Sequence, residues 1–178
     1  KSTGRPARDG LFPGTGIAMQ LRHVSPNVLA GLIETITAPP YNGHADLPAL
    51  ADELMMEIDD LFPVAETLQL MRFAEISEGD IRLTDAGKRF AKADTDERKS
   101  LFARHLLNYV PLAGHIKRVL DERTSHNAPA SRFRDELEDH MTEQAATDTL
   151  RAVISWARYG EAFAYDDHGG SFSLDNPS

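Results

Sequence analysis

Asp46–Gly87, DLPALADELMMEIDDLFPVAETLQLMRFAEISEGDIRLTDAG, is the stretch on which the fold turns. Asp46 can cap a helix that places Leu47, Leu50, Ala51 and Leu54 on one face. A second helix, from Ile58 or Asp59 to Met71, buries Leu61, Val64 or Ala65, Leu68 and Met71 at the same period. Phe73-Ala74-Glu75-Ile76 and Ile81-Arg82-Leu83 alternate around Ser77-Glu78-Gly79-Asp80, a hairpin with its glycine at the turn. In the following turn, Thr84-Asp85-Ala86-Gly87, Asp85 can cap a further helix. Two short helices, a hairpin and another helix are the order of a winged helix-turn-helix.

Upstream, residues 1–24 hold several Gly and Pro without a sustained period and read as a linker or arm. Ser25-Pro26 starts a helix, Ser as N-cap and Pro where its missing N–H costs nothing. Val28, Leu29, Leu32, Ile33 and Ile36 form its inner face, and Pro39-Pro40 stops it before the loop Tyr41–His44. Downstream, Asp94 or Thr95 opens a longer helix with Leu101, Phe102, Leu106 and Tyr109 on one face. Pro111 marks the next start, with Leu112, Ile116, Val119 and Leu120 inward. Ser131 is expected to cap a helix holding Phe133 and Leu137. Thr142 caps another, with Ala146, Leu150, Val153, Ile154 and Ala157 inside. Phe163-Ala164-Tyr165 and Ser171–Leu174 flank turn residues 166–170.

The second half thus repeats the first. Phe73-Ala74 precedes Gly79 by the interval at which Phe163-Ala164 precedes Gly169, while Leu83 and Leu174 fall one position out of step. The expected fold is mainly α with two small β-hairpins. Its plan is tandem winged helix-turn-helix units over residues 25–84 and 112–178, connecting helices over 85–111, and the arm over 1–24.

With 41% hydrophobic and 26% charged residues in 178, the composition is that of a globular protein. No apolar run approaches the roughly 20 residues of a membrane helix, so direct insertion is not expected. The chain has no cysteine, which excludes disulfides and thiol catalysis. No signal peptide is visible, and the first residue is Lys1 rather than Met, so the natural polypeptide is expected to extend upstream. The net charge is −9. Asp46–Gly87 alone carries eleven carboxylates against Arg72 and Arg82, and the remainder is neutral.

That acidity bears on function. A winged DNA reader needs Lys or Arg facing phosphates and Arg, Asn or Gln facing base edges. Here the second helix of the unit offers Glu57, Asp59, Asp60 and Glu66, and the wing tip is Glu78-Gly79-Asp80. Such a surface should reject DNA, so DNA is a disfavoured partner. Asp59, Asp60, Glu66, Glu78 and Asp80 are instead candidate docking residues for a basic protein surface. Arg72, Arg82, Arg151 and Arg158 are candidate anion-sensing residues in a groove between the units. Glu136, Asp139 and His140 have the i, i+3, i+4 spacing that can chelate a cation, although an exposed polar helix face is the better reading. Trp156, with Tyr159 and Phe163, reads as core. No catalytic residue, cofactor-binding motif or P-loop is recognisable, and no cofactor is expected in this chain.

LRHVSPNVLAGLIE, ADLPALADEL, MRFAEISEGDIRLTDAGKRFAKAD, ERKSLFARHLLNYVPLAGHIKRVL, RFRDELEDHMTE and WARYGEAFAYDD together resemble the AAA-associated C-terminal domain. The resemblance runs from about Leu21 to Asp175. That family is found behind the ATP-binding subunit of ABC importers of the nitrate/sulfonate/bicarbonate class. The resemblance implies a cytoplasmic, non-catalytic regulatory or assembly domain, at the inner face of the membrane through the transporter complex. ATP and Mg²⁺ would belong to the parent ATPase domain, because Walker A and the Leu-Ser-Gly-Gly signature are absent here. The implied partners are that ATPase domain and the transmembrane permease, with a homodimer also open to it. The arm before Val24 suits a junction with an upstream ATPase. The reading from another class is a winged-helix transcription regulator binding DNA.

Overall fold

Ser25 starts the first helix as its chemistry requires: its hydroxyl accepts the Asn27 N–H at 3.1 Å, and Pro26 takes the first helical position. A computed structural model describes residues 14–174, so residues 1–13 of the expected arm and 175–178 lie outside the described residues. The described chain is mainly helical, with eight α-helices and two three-stranded antiparallel sheets. It divides into two compact units, one of residues 24–101 and one of residues 14–23 with 102–174.

In the first unit the order is α1 (Pro26–Thr37), β1 (His44–Asp46), α2 (Leu47–Leu54), α3 (Ile58–Leu70), β2 (Ala74–Ser77), β3 (Asp80–Leu83) and α4 (Asp85–Lys92). α5 (Thr95–Tyr109) begins here, and the division between units falls within it. Leu29, Leu32, Ile33 and Ile36 of α1 are buried as expected, but Val28 is 47% exposed because it sits on the rim of an open groove. Asp46 caps α2, accepting the Ala49 N–H at 2.9 Å. α3 is buried almost all round from Pro63 to Leu68, which takes in Glu66 and Thr67. The cap of α4 is Thr84, not Asp85: the Thr84 hydroxyl accepts from Gly87 N at 3.1 Å and donates to Arg72 O at 2.8 Å. The expected hairpin gains β1 as a third strand, in the order β1-β3-β2. Ala45 and Ile76 both pair with Ile81, the fully buried centre of the sheet. Three residues are too few to show a strand period, so β1 was hidden in the sequence.

The second unit has α6 (Pro111–Glu122), β4 (Asn127–Pro129), α7 (Ala130–Glu138), α8 (Glu143–Gly160), β5 (Ala164–Asp166) and β6 (Ser171–Ser173). Residues 14–23 contribute a single 3-10 turn, Gly16–Ala18, packed on α6, and buried Leu21, whose N–H donates to Thr149 Oγ1 at 3.0 Å. Trp156 is fully buried, and Phe133 and Phe163 meet the Phe172 ring in the core, while half-buried Tyr165 meets the same ring. Thr142 caps α8 as expected, accepting from Ala145 N at 3.1 Å. Ser131 does not cap α7. The helix starts at Ala130, two residues earlier than a Ser131 cap would place it, and the Ala130 N–H donates to Gly170 O at 2.8 Å.

The sheet order here is β4-β6-β5, the same as in the first unit. Equivalent hydrogen bonds fix the correspondence. Leu47 N–H donates to Gly79 O as Ala130 N–H does to Gly170 O, and Leu83 N–H donates to Gly43 O as Leu174 N–H does to His126 O. Phe73 N–H reaches back to Leu68 O as Ala162 N–H does to Ala157 O. Gly79 therefore corresponds to Gly170 rather than Gly169, and Phe73 to Ala162 rather than Phe163. The turn after β2 holds two residues, Glu78 and Gly79, both with positive φ, whereas that after β5 holds residues 167–170. The longer second turn is what set Leu174 out of step. This arrangement is compatible with a winged helix in each unit.

Candidate functional site

Asp59 and Asp60 lie exposed in the first turn of α3, where the helix dipole favours carboxylates. Glu78 is exposed at the hairpin turn with φ +53°, beside Gly79. Asp80 is half-buried on β3 and lies 2.9 Å from His44 Nε2 of β1. Glu66 is only 4% exposed and belongs to the interior of α3, so it is not on the acidic surface. Its neighbours Ala65 and Thr67 are equally buried, a burial that one hydrophobic stripe could not announce.

The same region carries exposed apolar side chains that the charge pattern concealed. Met55 is 91% exposed, ends α2 in the left-handed conformation at φ +57°, and is followed by Ile58 at 40%. A left-handed helix end ordinarily takes Gly or Asn, so an exposed Met there is uncommon. Beside it an apolar groove of about 280 Å³ is lined by Val28, Leu32, Leu54, Met56, Leu61 and Val64. The signal in the sequence was Met55-Met56 directly ahead of Glu57-Ile58-Asp59-Asp60. Nearby on the chain, the Tyr41 hydroxyl donates to Glu53 Oε1. That hydrogen bond, then burial and the Glu53 charge, raise the Tyr41 pKa above its ordinary 10.0.

The four candidate anion-sensing arginines divide between the units. In the first, Arg72 closes α3 at φ +67°, and Arg82 donates to Glu75 at 2.8 Å across the β2–β3 pair. In the second, Arg151 and Arg158 lie on α8 and line one open cavity of about 490 Å³. Arg158 is held at 3.0 Å from Asp167 and donates to Tyr165 O at 2.9 Å, while Arg151 lies 3.7 Å from Asp148. The cavity is also lined by Arg134 of α7, with Thr147, Ser155 and Tyr165. Arg134 was missed because its motif, RFRDELE, looks like an ordinary charged helix face.

The structure does not assemble Glu136, Asp139 and His140 into a metal site. Glu136 Oε1 is instead 3.0 Å from His115 Nε2, with Arg132 at 3.8 Å, and Asp139 and His140 are exposed past the end of α7. Among the described residues no group of three or more Asp, Glu or His is placed to hold a metal ion. Nor is any described helix long and apolar enough to cross a membrane.

Comparison with known proteins gives one result. The family model described as the C-terminal AAA-associated domain matches residues 48–166, well over half of the chain. It runs from α2 into β5 and so takes in most of both units. No match was found among curated proteins or solved structures.

Proposed function

The chain belongs to the C-terminal AAA-associated domain family, an accessory domain of ATPase-type proteins, and from that premise we propose a docking role. Here the ATPase is the ATP-binding subunit of an ABC importer of the nitrate/sulfonate/bicarbonate class. The domain regulates or assembles that complex in the cytoplasm by seating its first unit on a basic surface of the ATPase or of the permease. ATP and Mg²⁺ are held by the ATPase, not by these residues.

The observation that carries this reading is the α2–α3 turn. It presents a nearly fully exposed Met55 at its apex, with Ile58 exposed beside it and Glu57, Asp59 and Asp60 around them. Burying one such side chain against a partner is worth about 1.5–3 kcal/mol, while the carboxylates steer the encounter and reject acidic or DNA surfaces. An apolar anchor with a polar surround is how a specific protein contact is built.

The test is binding of this domain to the purified ATPase subunit, in trans, by calorimetry. Replacing Asp59, Asp60 and Glu78 with Lys should weaken binding by about tenfold or more, a loss of at least about 1.4 kcal/mol. Met55→Ser should weaken it with the charges intact. Unchanged binding, transport and assembly in both variants would end the docking reading.

A further inference from the structure

We propose that the cavity between α7, α8 and the β5–β6 hairpin is a binding site for a small organic oxyanion, a phosphate ester or sulfonate with an apolar or aromatic body. The inference goes beyond the docking role and does not depend on it, since every residue involved lies in the second unit.

Three arginines, Arg134, Arg151 and Arg158, line one cavity, a density of permanent positive charge out of keeping with a chain of net charge −9. Among the described residues Arg134 has no carboxylate or hydrogen-bond partner, although it is half-buried. A half-buried guanidinium that no group of the described chain engages can turn its donors to an incoming oxyanion without first breaking an ion pair. Arg151 is only loosely engaged at 3.7 Å from Asp148 and can add a second fork of donors. Thr147 and Ser155 supply hydroxyls on the same wall. Leu150, Ile154 and Tyr165 supply the apolar wall that a bare inorganic ion would not need. At about 490 Å³ the cavity has the size of a small-ligand site.

Arg158 adds a competition. Its guanidinium carbon lies 5.6 Å from the Tyr165 ring centroid, and its charge is occupied by Asp167 in the hairpin turn at 3.0 Å. An oxyanion reaching Arg158 displaces the Asp167 carboxylate and releases the turn. Binding is thereby linked to the position of the second hairpin. Asp167 acts as an internal competitor, present until the ligand replaces it.

The experiment is calorimetric titration of the whole domain with phenyl phosphate, with inorganic phosphate and benzenesulfonate as separate arms. Saturable binding of phenyl phosphate in the range of about 1 mM or tighter is expected, with inorganic phosphate weaker. Arg134→Gln should lower the affinity about tenfold without loss of structure, because that side chain holds no partner among the described residues. Asp167→Asn should raise it severalfold, while Asp121→Asn, which removes a carboxylate from the Lys117 pair on α6, should leave it unchanged. Benzenesulfonate binding as well would show that the site reads the oxyanion rather than phosphate alone. Absence of saturable binding in the folded domain, an unaffected Arg134→Gln, or equal gains from Asp167→Asn and Asp121→Asn would overturn the proposal. Failure of docking to the ATPase subunit would leave these results untouched.

Discussion

Gly87 shows how much one residue can decide. A Cβ built there would sit 2.1 Å from the Phe73 backbone oxygen and 3.3 Å from Leu83 Cδ2, so α4 rests directly on the chain entering β2. Thr84 reinforces the contact, and the Phe73 and Phe90 rings pack with centroids 5.5 Å apart. Alanine favours a helix over glycine by about 1 kcal/mol, but here the clash is with backbone that cannot swing aside. Overpacking of this kind costs about 1–3 kcal/mol or more, so Gly87→Ala should be net destabilising, as a lower denaturation midpoint in urea would show. The sequence displayed Gly87 as part of a helix-starting turn. The reason it must be glycine lay in a contact with Phe73, and such long-range contacts leave no local mark. Tyr41 makes a second residue-level case. A phenol whose pKa is raised on folding favours the folded state while protonated, so its contribution is present below the ordinary 10.0 and is lost as pH rises through the folded value. Glu53→Gln should bring the Tyr41 ionisation back towards the ordinary value in a spectrophotometric phenolate titration. No change there would mean that the Glu53 contact does not persist in solution.

At the level of elements, the helices were the most legible because period and caps agreed. Ser25, Asp46 and Thr142 cap through their side chains, as their positions in the sequence predicted, and of Asp94 and Thr95 it is Asp94 that caps α5. Caps failed where the sheet supplied the partner: Ala130 uses the carbonyl of Gly170, so Ser131 has nothing to do. Thr84 displaced Asp85 because its hydroxyl both accepts from Gly87 and ties α4 to Arg72 O. Loss of both bonds in Thr84→Val should cost about 1–2 kcal/mol, above the usual loss from an exposed cap, whereas Asp85→Ala should cost only a few tenths. Equal losses in a denaturant series would contradict that division of labour. The duplication was visible from two hairpins in matching order. Its register was not, because the two turns differ in length and side chains alone align Phe73 with Phe163.

For the whole molecule the governing quantity is charge placement. The sequence showed where the acids lie along the chain but not which are outside, and Glu66 had to be removed from the surface. Met55-Met56 ahead of Glu57-Ile58-Asp59-Asp60 was the one local sign that Met55 and Ile58 stand exposed among them, and apolar residues at helix ends ordinarily read as core. Arg151 and Arg158 were legible in the sequence only as anion-sensing candidates of a groove between the units; their sharing one cavity, and Arg134 joining them, needed the packing of α7 on α8. The net charge of −9 sits almost entirely in the stretch around the α2–α3 turn and first hairpin. Within the first unit the ion pairs are mostly between exposed partners, such as Arg82–Glu75 and Arg89–Glu97, and exposed pairs are worth about 0–1 kcal/mol each. Repulsion among the remaining carboxylates should therefore outweigh them at low ionic strength. Raising salt from about 10 mM to about 150 mM shortens the screening length from about 30 Å to about 8 Å. The melting temperature of the isolated domain should rise over that interval, while its affinity for a basic partner should fall. The two responses have opposite signs because screening removes self-repulsion in one case and attraction in the other. Scanning calorimetry and binding in the same buffer series would separate them. A melting temperature that falls with salt would mean that the ion pairs dominate and that the acidic face is not held under repulsion in the free domain.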